Sequence, residues 1–243
     1  MKKIKSKKLK IGLFGGSGKM GQEVENALGE SQHSAYLFVG SKPSANFSVS
    51  IADLKNVEDE ILQEVDVWID FSSASGLLEL LKRTPNTPIV SGSTGLSLEQ
   101  FKQLKKISQK RTLFWASNFS IGLWVFRQAL KSLATISDFD FSINEIHHNQ
   151  KKDMPSGTAL TLKQDLQQVV GKPIETPTAQ RLGGVFGIHT VYAASANEII
   201  SFQHQALNRK VFATGALQAA EWAFKKKNGL YSMDDMLLNR RLK

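Results

Sequence analysis

Between Glu145 and Ala159 the sequence reads EIHHNQKKDMPSGTA, which sets a carboxylate, a histidine pair and Lys151 ahead of Pro155, Ser156 and Gly157. Imidazoles exchange protons near neutral pH, and an ammonium group supplies a positive charge for an anion. A helix opening at Gly157 and Thr158 adds backbone N–H groups that receive a carboxylate. The chemistry these groups suit is proton transfer on an anionic substrate. Strand alternation puts Glu145 and His147 on one face, where the carboxylate can orient the imidazole, and turns His148 to the other face for a different role. Paired histidines also suggest a metal. Adjacent strand residues chelate poorly, however, and the chain has no cysteine and no HxxxH spacing, so no metal is expected. Ser156 has the setting of a helix N-cap rather than of an activated nucleophile. His33, His189 and His204 stand alone and read as structural or surface residues.

A second cluster, GLFGGSGKMG ending at Gly21, sets Gly15, Gly18 and Gly21 between an apolar run and a helical pattern. Glycine permits positive φ in a tight turn and lets the backbone approach a pyrophosphate, which the helix N-terminus then receives. The spacing is GxxGxxG rather than the commoner GxGxxG. Its place after the first strand favours dinucleotide binding over a plain turn. The end of the second strand bears on which nicotinamide is used, because an acid there binds the adenine ribose and repels a 2′-phosphate. The run from Val39 to Pro43 has no acid. Ser41 and Lys42 offer a hydroxyl and a cation instead, with Lys19 in reach of the same region. NADPH is expected over NADH, with Lys42 as a solvated loop charge the alternative.

Regular elements must hold these groups. Leu9–Phe14, Ala35–Val39, Val67–Phe71, Ile89–Ser91 and Thr112–Ala116 read as strands. Lys19–Leu28, Gly76–Lys82 and Leu98–Ser108 read as helices, the last opened by a capping box from Ser97 to Gln100. Such alternation implies βαβ units and a parallel sheet. After Asn118 the rhythm changes. Ile121–Leu133 is helical, and Phe139–Ile146 then alternates Phe139, Phe141 and Ile143 with Asp140, Ser142 and Asn144. A period of two marks a strand covered on one face, so this second sheet is not parallel and doubly buried. Thr158–Val170 returns to helix, Gly187–Ala193 and Glu198–His204 are strands, and Arg209–Lys227 is a long amphipathic helix placed to return to the first domain. The fold class is α/β followed by a smaller α+β region.

The chain has 243 residues, 41% of them apolar and 22% charged, an ordinary globular composition. Without cysteine there is neither a disulfide nor a thiol nucleophile, which permits the cytosol. No apolar run approaches the ~20 residues of a membrane span. Ile11–Phe14, behind the leading lysines, is too short for a signal peptide. The net charge of +9 is concentrated at the ends, in Lys2, Lys3, Lys5, Lys7, Lys8 and Lys10 and in Lys225, Lys226, Lys227, Arg240, Arg241 and Lys243. Terminal clusters without interleaved aromatics read as solvated tails, so neither nucleic acid nor membrane is expected as a partner.

With these residues in view, the chain resembles the dihydrodipicolinate reductases, also called 4-hydroxy-tetrahydrodipicolinate reductases, whose signature E-x-H-H-x-x-K-x-D-x-P-S-G-T-A is closely matched. The resemblance extends through GGSGKMG ending at Gly21, Asp70-Phe71-Ser72, the GSTG from Gly92 to Gly95, the ASNFSIG from Ala116 to Gly122, and GLYSMDDML from Gly229 to Leu237. It implies a Rossmann-type parallel-sheet domain over 1–119 completed by 209–243. It also implies a substrate-binding and oligomerisation domain over 120–208, built on a mixed sheet and serving a homotetramer. The implied activity is NADH- or NADPH-dependent reduction of the cyclic dicarboxylate formed from aspartate semialdehyde and pyruvate. That reaction belongs to lysine and diaminopimelate biosynthesis in the cytoplasm. By the same resemblance His147 is the proton donor/acceptor and Lys151 a second proton donor, while His148, Ser156, Gly157 and Thr158 bind substrate. Gly15, Gly16, Ser17, Gly18, Lys19, Met20, Lys42, Phe71, Gly92, Ser93, Thr94, Ala116, Ser117, Asn118 and Phe119 hold the cofactor.

Departures from the family pattern are the missing acid after the second strand and a shortened hairpin at Tyr192–Asn197, where members usually carry an R-x-G-D-like turn. The hairpin bears on tetramer geometry. Two other readings fit parts of the chain. One is a reductase of another small imine or keto acid on the same scaffold. The other is a non-catalytic NADP(H)-sensing protein, which would keep the glycine turn but have little need for His147 with Lys151.

Overall fold

The computed structural model describes residues 7–238. Its strands are β1 (Lys10–Phe14), β2 (Ser34–Val39), β3 (Val49–Ile51), β4 (Val67–Asp70), β5 (Ile89–Ser91), β6 (Thr112–Trp115), β7 (Asp140–His147), β8 (Thr178–Arg181), β9 (Gly187–Ala194), β10 (Ile199–Ala206) and β11 (Gly229–Tyr231). Its α-helices are α1 (Lys19–Gly29), α2 (Asp59–Gln63), α3 (Ala74–Arg83), α4 (Leu98–Ile107), α5 (Ile121–Ala129), α6 (Gly157–Val170), α7 (Lys210–Ala223) and α8 (Met233–Leu238). Described residues up to Phe119 and from Phe212 onward form one compact unit, and Ser120–Val211 forms a second.

The first unit is built on a seven-stranded sheet of order β11-β6-β5-β4-β1-β2-β3, with every pairing parallel. Every residue of β4 and of β5 is buried, as a strand covered by helices on both faces must be. Leu37, Trp68, Leu80 and Ile89 sit in one apolar cluster, and full burial of each such side chain contributes roughly 1.5–3 kcal/mol. Helix α3 shows how sequence fixes an element here. Ser73 caps it by accepting from the Gly76 N–H, Leu77, Leu80 and Leu81 bury one stripe, and Lys82 and Arg83 complement the dipole in the last turn. The Rossmann-type reading holds, and so does the capping box, with the Ser97 and Gln100 side chains bonded reciprocally.

The second unit carries a four-stranded mixed sheet of order β10-β9-β7-β8. β9 runs antiparallel to both neighbours and β8 runs parallel to β7. In β7 the odd-numbered residues Ile143, Glu145 and His147 are buried, so the alternation read from sequence continues straight into the chemically active residues. That face packs on α6, whose Ala159, Leu162, Leu166 and Val170 form its buried stripe before Gly171, at φ 71°, ends it.

Several expectations shift. Helix over Ile121–Leu133 stops being α at Ala129 and tightens into a 3-10 turn from Leu130 to Ile136. The helix expected over Arg209–Lys227 ends at Ala223. The edge strands β3, β8 and β11 and the short helices α2 and α8 were not expected, because three to six residues are too few to display a period. Of the terminal basic residues, Lys7 pairs with Asp66 at 2.8 Å and Lys10 pairs with Glu64. Lys226 lies 4.2 Å from the centre of the Trp222 ring. Lys2, Lys3, Lys5, Arg240, Arg241 and Lys243 lie outside the described residues. Among the described residues no helix is long and apolar enough to cross a membrane.

Candidate active site

Two groups of functional side chains emerge, one in each unit. In the first unit the strand order reverses between β1 and β4, and a parallel sheet opens a ligand crevice at such a point, beyond its carboxyl ends. A cleft of ≈ 420 Å³ lies there. Gly18, Lys19 and Met20 after β1, Phe71 and Ser72 after β4, Gly92 and Thr94 after β5, and Ser117, Asn118 and Phe119 after β6 line it, with Phe212 from α7.

The turn after β1 meets the requirements of a pyrophosphate. Gly15 has φ +78°, and a Cβ there would stand 2.7 Å from the Phe71 carbonyl. A Cβ on Gly21 would meet the Gly16 carbonyl oxygen at 2.4 Å, so only glycine lets α1 start this close to the turn. The Gly15 and Gly16 N–H groups donate to the Val39 carbonyl and brace the turn on β2. Among the described residues no side chain caps the start of α1, and its first turn holds no acid, an end that suits an anion. Ser17 Oγ accepts from the Lys42 N–H at 2.8 Å, which sets Lys42 beside the turn.

Of the cofactor residues expected from sequence, Ser93 and Ala116 are placed differently from the rest. Both are buried beneath the cleft rather than in its lining, because Ser93 turns its hydroxyl inward to Asp70 at 2.8 Å and Ala116 is packed into the core. Gly15, Gly16 and Ser17 form the turn, Lys42 stands beside Ser17, and the others line the cleft. Ser72 and Phe212 were missed. Ser72 adjoins a residue that was named, whereas Phe212 arrives from the far end of the chain with no local signal.

The second group centres on His147. Its Nδ1 contacts Glu145 Oε2, and Glu145 is fully buried. The other oxygen of Glu145 accepts from the Ser156 N–H at 3.1 Å and from the Arg181 guanidinium at 3.0 Å. Arg181 also donates to the carbonyls of Lys151 and Asp153, so one side chain fixes both the carboxylate and the loop beyond β7. Lys151 Nζ pairs with Asp153 at 2.8 Å. Ser156 caps α6 by accepting from the Ala159 N–H at 3.2 Å, the role its setting predicted. Gly157 and Thr158 open that helix beside it, and His148 lies just beyond the end of β7.

The electrostatics follow from burial and charge. Burial pushes the Glu145 carboxyl up, but the hydrogen bonds from Ser156 and Arg181 and the positive charges nearby outweigh it and hold it below the ordinary carboxylate range. Burial holds His147 below the usual imidazole value. Glu145 pulls it back up, while Lys151 and Arg181 push it down further. Partial burial raises the Asp153 carboxyl, but Lys151 and backbone hydrogen bonds together bring it below the ordinary value.

His189 corrects the expectation of an isolated structural or surface residue. It is 5% exposed, lies opposite Glu145 across the β7–β9 pairing, and its ring meets that of His147 edge-on at 5.0 Å. Burial, reinforced by His147, holds its pKa down to about 3, so the ring is neutral. Neither His189 nor Arg181 was legible locally, since both reach the site through cross-strand register. His204, half-buried opposite His189, extends the row, and burial lowers its pKa too. His33 is structural, accepting from the Leu9 N–H and facing Glu221 at 2.8 Å. Glu145, His147 and His189 each bring a potential metal-ligating atom within 4.8 Å of the others. Arg181 and the Lys151 charge beside them favour an anion over a cation at that place.

Comparison with known proteins bears on both groups. The family model for the dihydrodipicolinate reductase N-terminus matches residues 9–119, and the model for the C-terminus of the same enzyme matches residues 122–237. A 4-hydroxy-tetrahydrodipicolinate reductase of Bdellovibrio bacteriovorus is 43% identical over 239 residues, covering 98% of this chain and 100% of that protein. One from Thermosipho africanus is 34% identical over 234 residues, covering 94% and 98%. The solved dipicolinate-bound dihydrodipicolinate reductase of Paenisporosarcina sp. TG-14 matches the fold with a TM-score of 0.76 at 21% identity, over 95% of this chain and 100% of that one. The glycine turn, the cleft and the Glu145–His147 pair thus lie in a chain that belongs, through both its halves, to the dihydrodipicolinate reductase family.

Proposed function

We propose that the chain reduces 4-hydroxy-tetrahydrodipicolinate to tetrahydrodipicolinate, with His147 and Lys151 as its acid–base residues. Reactant and product differ by a hydroxyl replaced with hydrogen, so each turnover consumes a hydride and a proton and releases water. A nicotinamide dinucleotide supplies the hydride when bound. The chain's own residues do the rest. The glycine turn and the N-terminus of α1 receive the pyrophosphate. Lys151, His148 and the Ser156–Gly157–Thr158 start of α6 receive the carboxylates of a dianionic ring. Glu145, itself fixed by Arg181, orients the His147 imidazole from Nδ1 and leaves Nε2 as the atom that gives or takes a proton. Positioned acids of this kind contribute typically ~10²–10⁴-fold.

The observation that carries this reading is the Arg181–Glu145–His147 network beside Lys151 and an N-terminal helix turn, within a chain matched along its length by this family. NADPH is favoured over NADH, because no acid ends β2 and Ser17 holds Lys42 against the phosphate turn. We extend the reading to a homotetramer working in the cytoplasm, the assembly being open to sedimentation analysis.

The deciding assay follows nicotinamide absorbance with freshly condensed aspartate semialdehyde and pyruvate, using NADPH and NADH in turn. Turnover with that substrate and not with other imines or keto acids is expected, at higher kcat/KM for NADPH. His147→Ala and Lys151→Ala are each expected to cut turnover about a hundredfold or more while nicotinamide still binds. Near-normal turnover in both variants contradicts the assignment, and binding without any turnover in the parent protein favours a sensor.

A further inference from the structure

Asp70 ends β4 with its side chain fully buried, and among the described residues no cation is bonded to it. Four donors converge on it instead. The Ser72 N–H and Ser72 hydroxyl donate to Oδ1 at 2.9 and 2.5 Å, and the Ser91 and Ser93 hydroxyls donate to Oδ2 at 2.6 and 2.8 Å. Burial raises the Asp70 pKa above the ordinary carboxylate value, and the hydrogen bonds from Ser72, Ser91 and Ser93 offset only part of that rise. Ser91 also accepts from the Ser93 N–H at 3.1 Å, and the Ser93 carbonyl accepts from the Trp115 indole at 2.9 Å, so the network extends to β6.

Immediately above this network lie residues of the cleft. Phe71 and Ser72 follow Asp70, and Gly92 and Thr94 flank Ser93. The Phe71 ring lies so close over Gly92 that a Cβ there would stand 2.3 Å from it, and it meets Phe119 edge-on at 5.7 Å. A buried carboxylate bound only by hydroxyls and an amide contributes little net stability by itself. Its geometric effect is definite, since it ties the loop after β4 to the loop after β5. We propose that Asp70 is a positioning residue which, through Ser72, Ser91 and Ser93, locks these loops in the shape that grips the nicotinamide cofactor. The inference rests on the reading of the cleft as the nicotinamide site.

The sharpest test is Ser91→Ala, which removes one donor to Asp70 and the acceptor for the Ser93 N–H yet alters no atom lining the cleft. NADPH and NADH titrations followed by nicotinamide fluorescence are expected to show Kd raised roughly tenfold for both. KM for the nicotinamide rises with it, kcat changes less than KM, and the Kd for pyridine-2,6-dicarboxylate stays at its parent value. Asp70→Asn, which keeps the shape but replaces one acceptor oxygen with an amide donor, is expected to raise both nicotinamide Kd values further. Parent-like nicotinamide Kd values in a folded Ser91→Ala protein overturn the inference, as does a loss of dicarboxylate affinity in step with nicotinamide affinity. Should Asp70→Asn fail to fold, Ser91→Ala decides alone. If the parent protein binds no nicotinamide, the reading of the cleft fails first and the inference falls with it.

Discussion

In the proposed mechanism His147 delivers a proton from a place that discourages it from holding one. Burial and two nearby cations lower its pKa, and only Glu145 opposes them. On the proposed reading a dianionic ring beside Lys151 and the start of α6 shifts that balance towards the charged imidazole, because nearby carboxylates favour it. Binding of a planar pyridine dicarboxylate is therefore expected to be accompanied by net proton uptake near pH 7, and to weaken as pH rises. Calorimetry in buffers of different ionisation enthalpy measures this directly. Proton uptake near zero in the parent protein, or undiminished uptake in His147→Gln, removes His147 from the role. Lys151 is already paired with Asp153, so on the same reading an incoming carboxylate competes for an ammonium that is oriented rather than loose.

The elements decide which residues meet, and here sequence and structure part company in an instructive way. The glycine turn, α1, β4 and the alternation along β7 were legible because each is a local pattern of period or spacing. Arg181 was not, since β8 has the unremarkable sequence TAQR and acquires meaning only by pairing parallel to β7 with His147 opposite Arg181. His189 was hidden for the same reason on β9, and Phe212 because the return of its helix, though expected, does not say which of its residues reaches the cleft. The contribution of β8 is testable by itself. Arg181→Met keeps the apolar stem but leaves Glu145 buried beside His147 without its guanidinium, a change that costs about 3–5 kcal/mol when a buried pair is broken. A fall in kcat/KM of tenfold or more is expected, with nicotinamide Kd unchanged and partial recovery in Arg181→Lys. Parent-like kcat/KM in the Met variant would show that the sheet register matters only for packing.

At the scale of the whole molecule these same groups make stability depend on pH. His147, His189 and His204 all have folded-state pKa values below the ordinary 6.5, that of His189 at about 3. Below about pH 6.5 the unfolded chain therefore takes up protons that the folded one refuses. Stability is complete above that value and is lost as pH falls towards each folded-state pKa, at up to ~1.4 kcal/mol per pH unit for each proton refused. Glu145 and Asp153, both held low, extend the loss below the usual carboxylate range, whereas Asp70, pushed up by burial, works in the opposite sense. Absolute slopes mix these effects, and a difference isolates one. His189→Gln removes the most depressed imidazole and leaves the carboxylates in place. Urea midpoints measured from pH 8 to pH 5 are expected to converge as pH falls, the variant losing less stability than the parent below pH 6.5. Parallel curves would mean that His189 carries a proton in the folded protein, and the neutral ring packed against His147 would have to be abandoned.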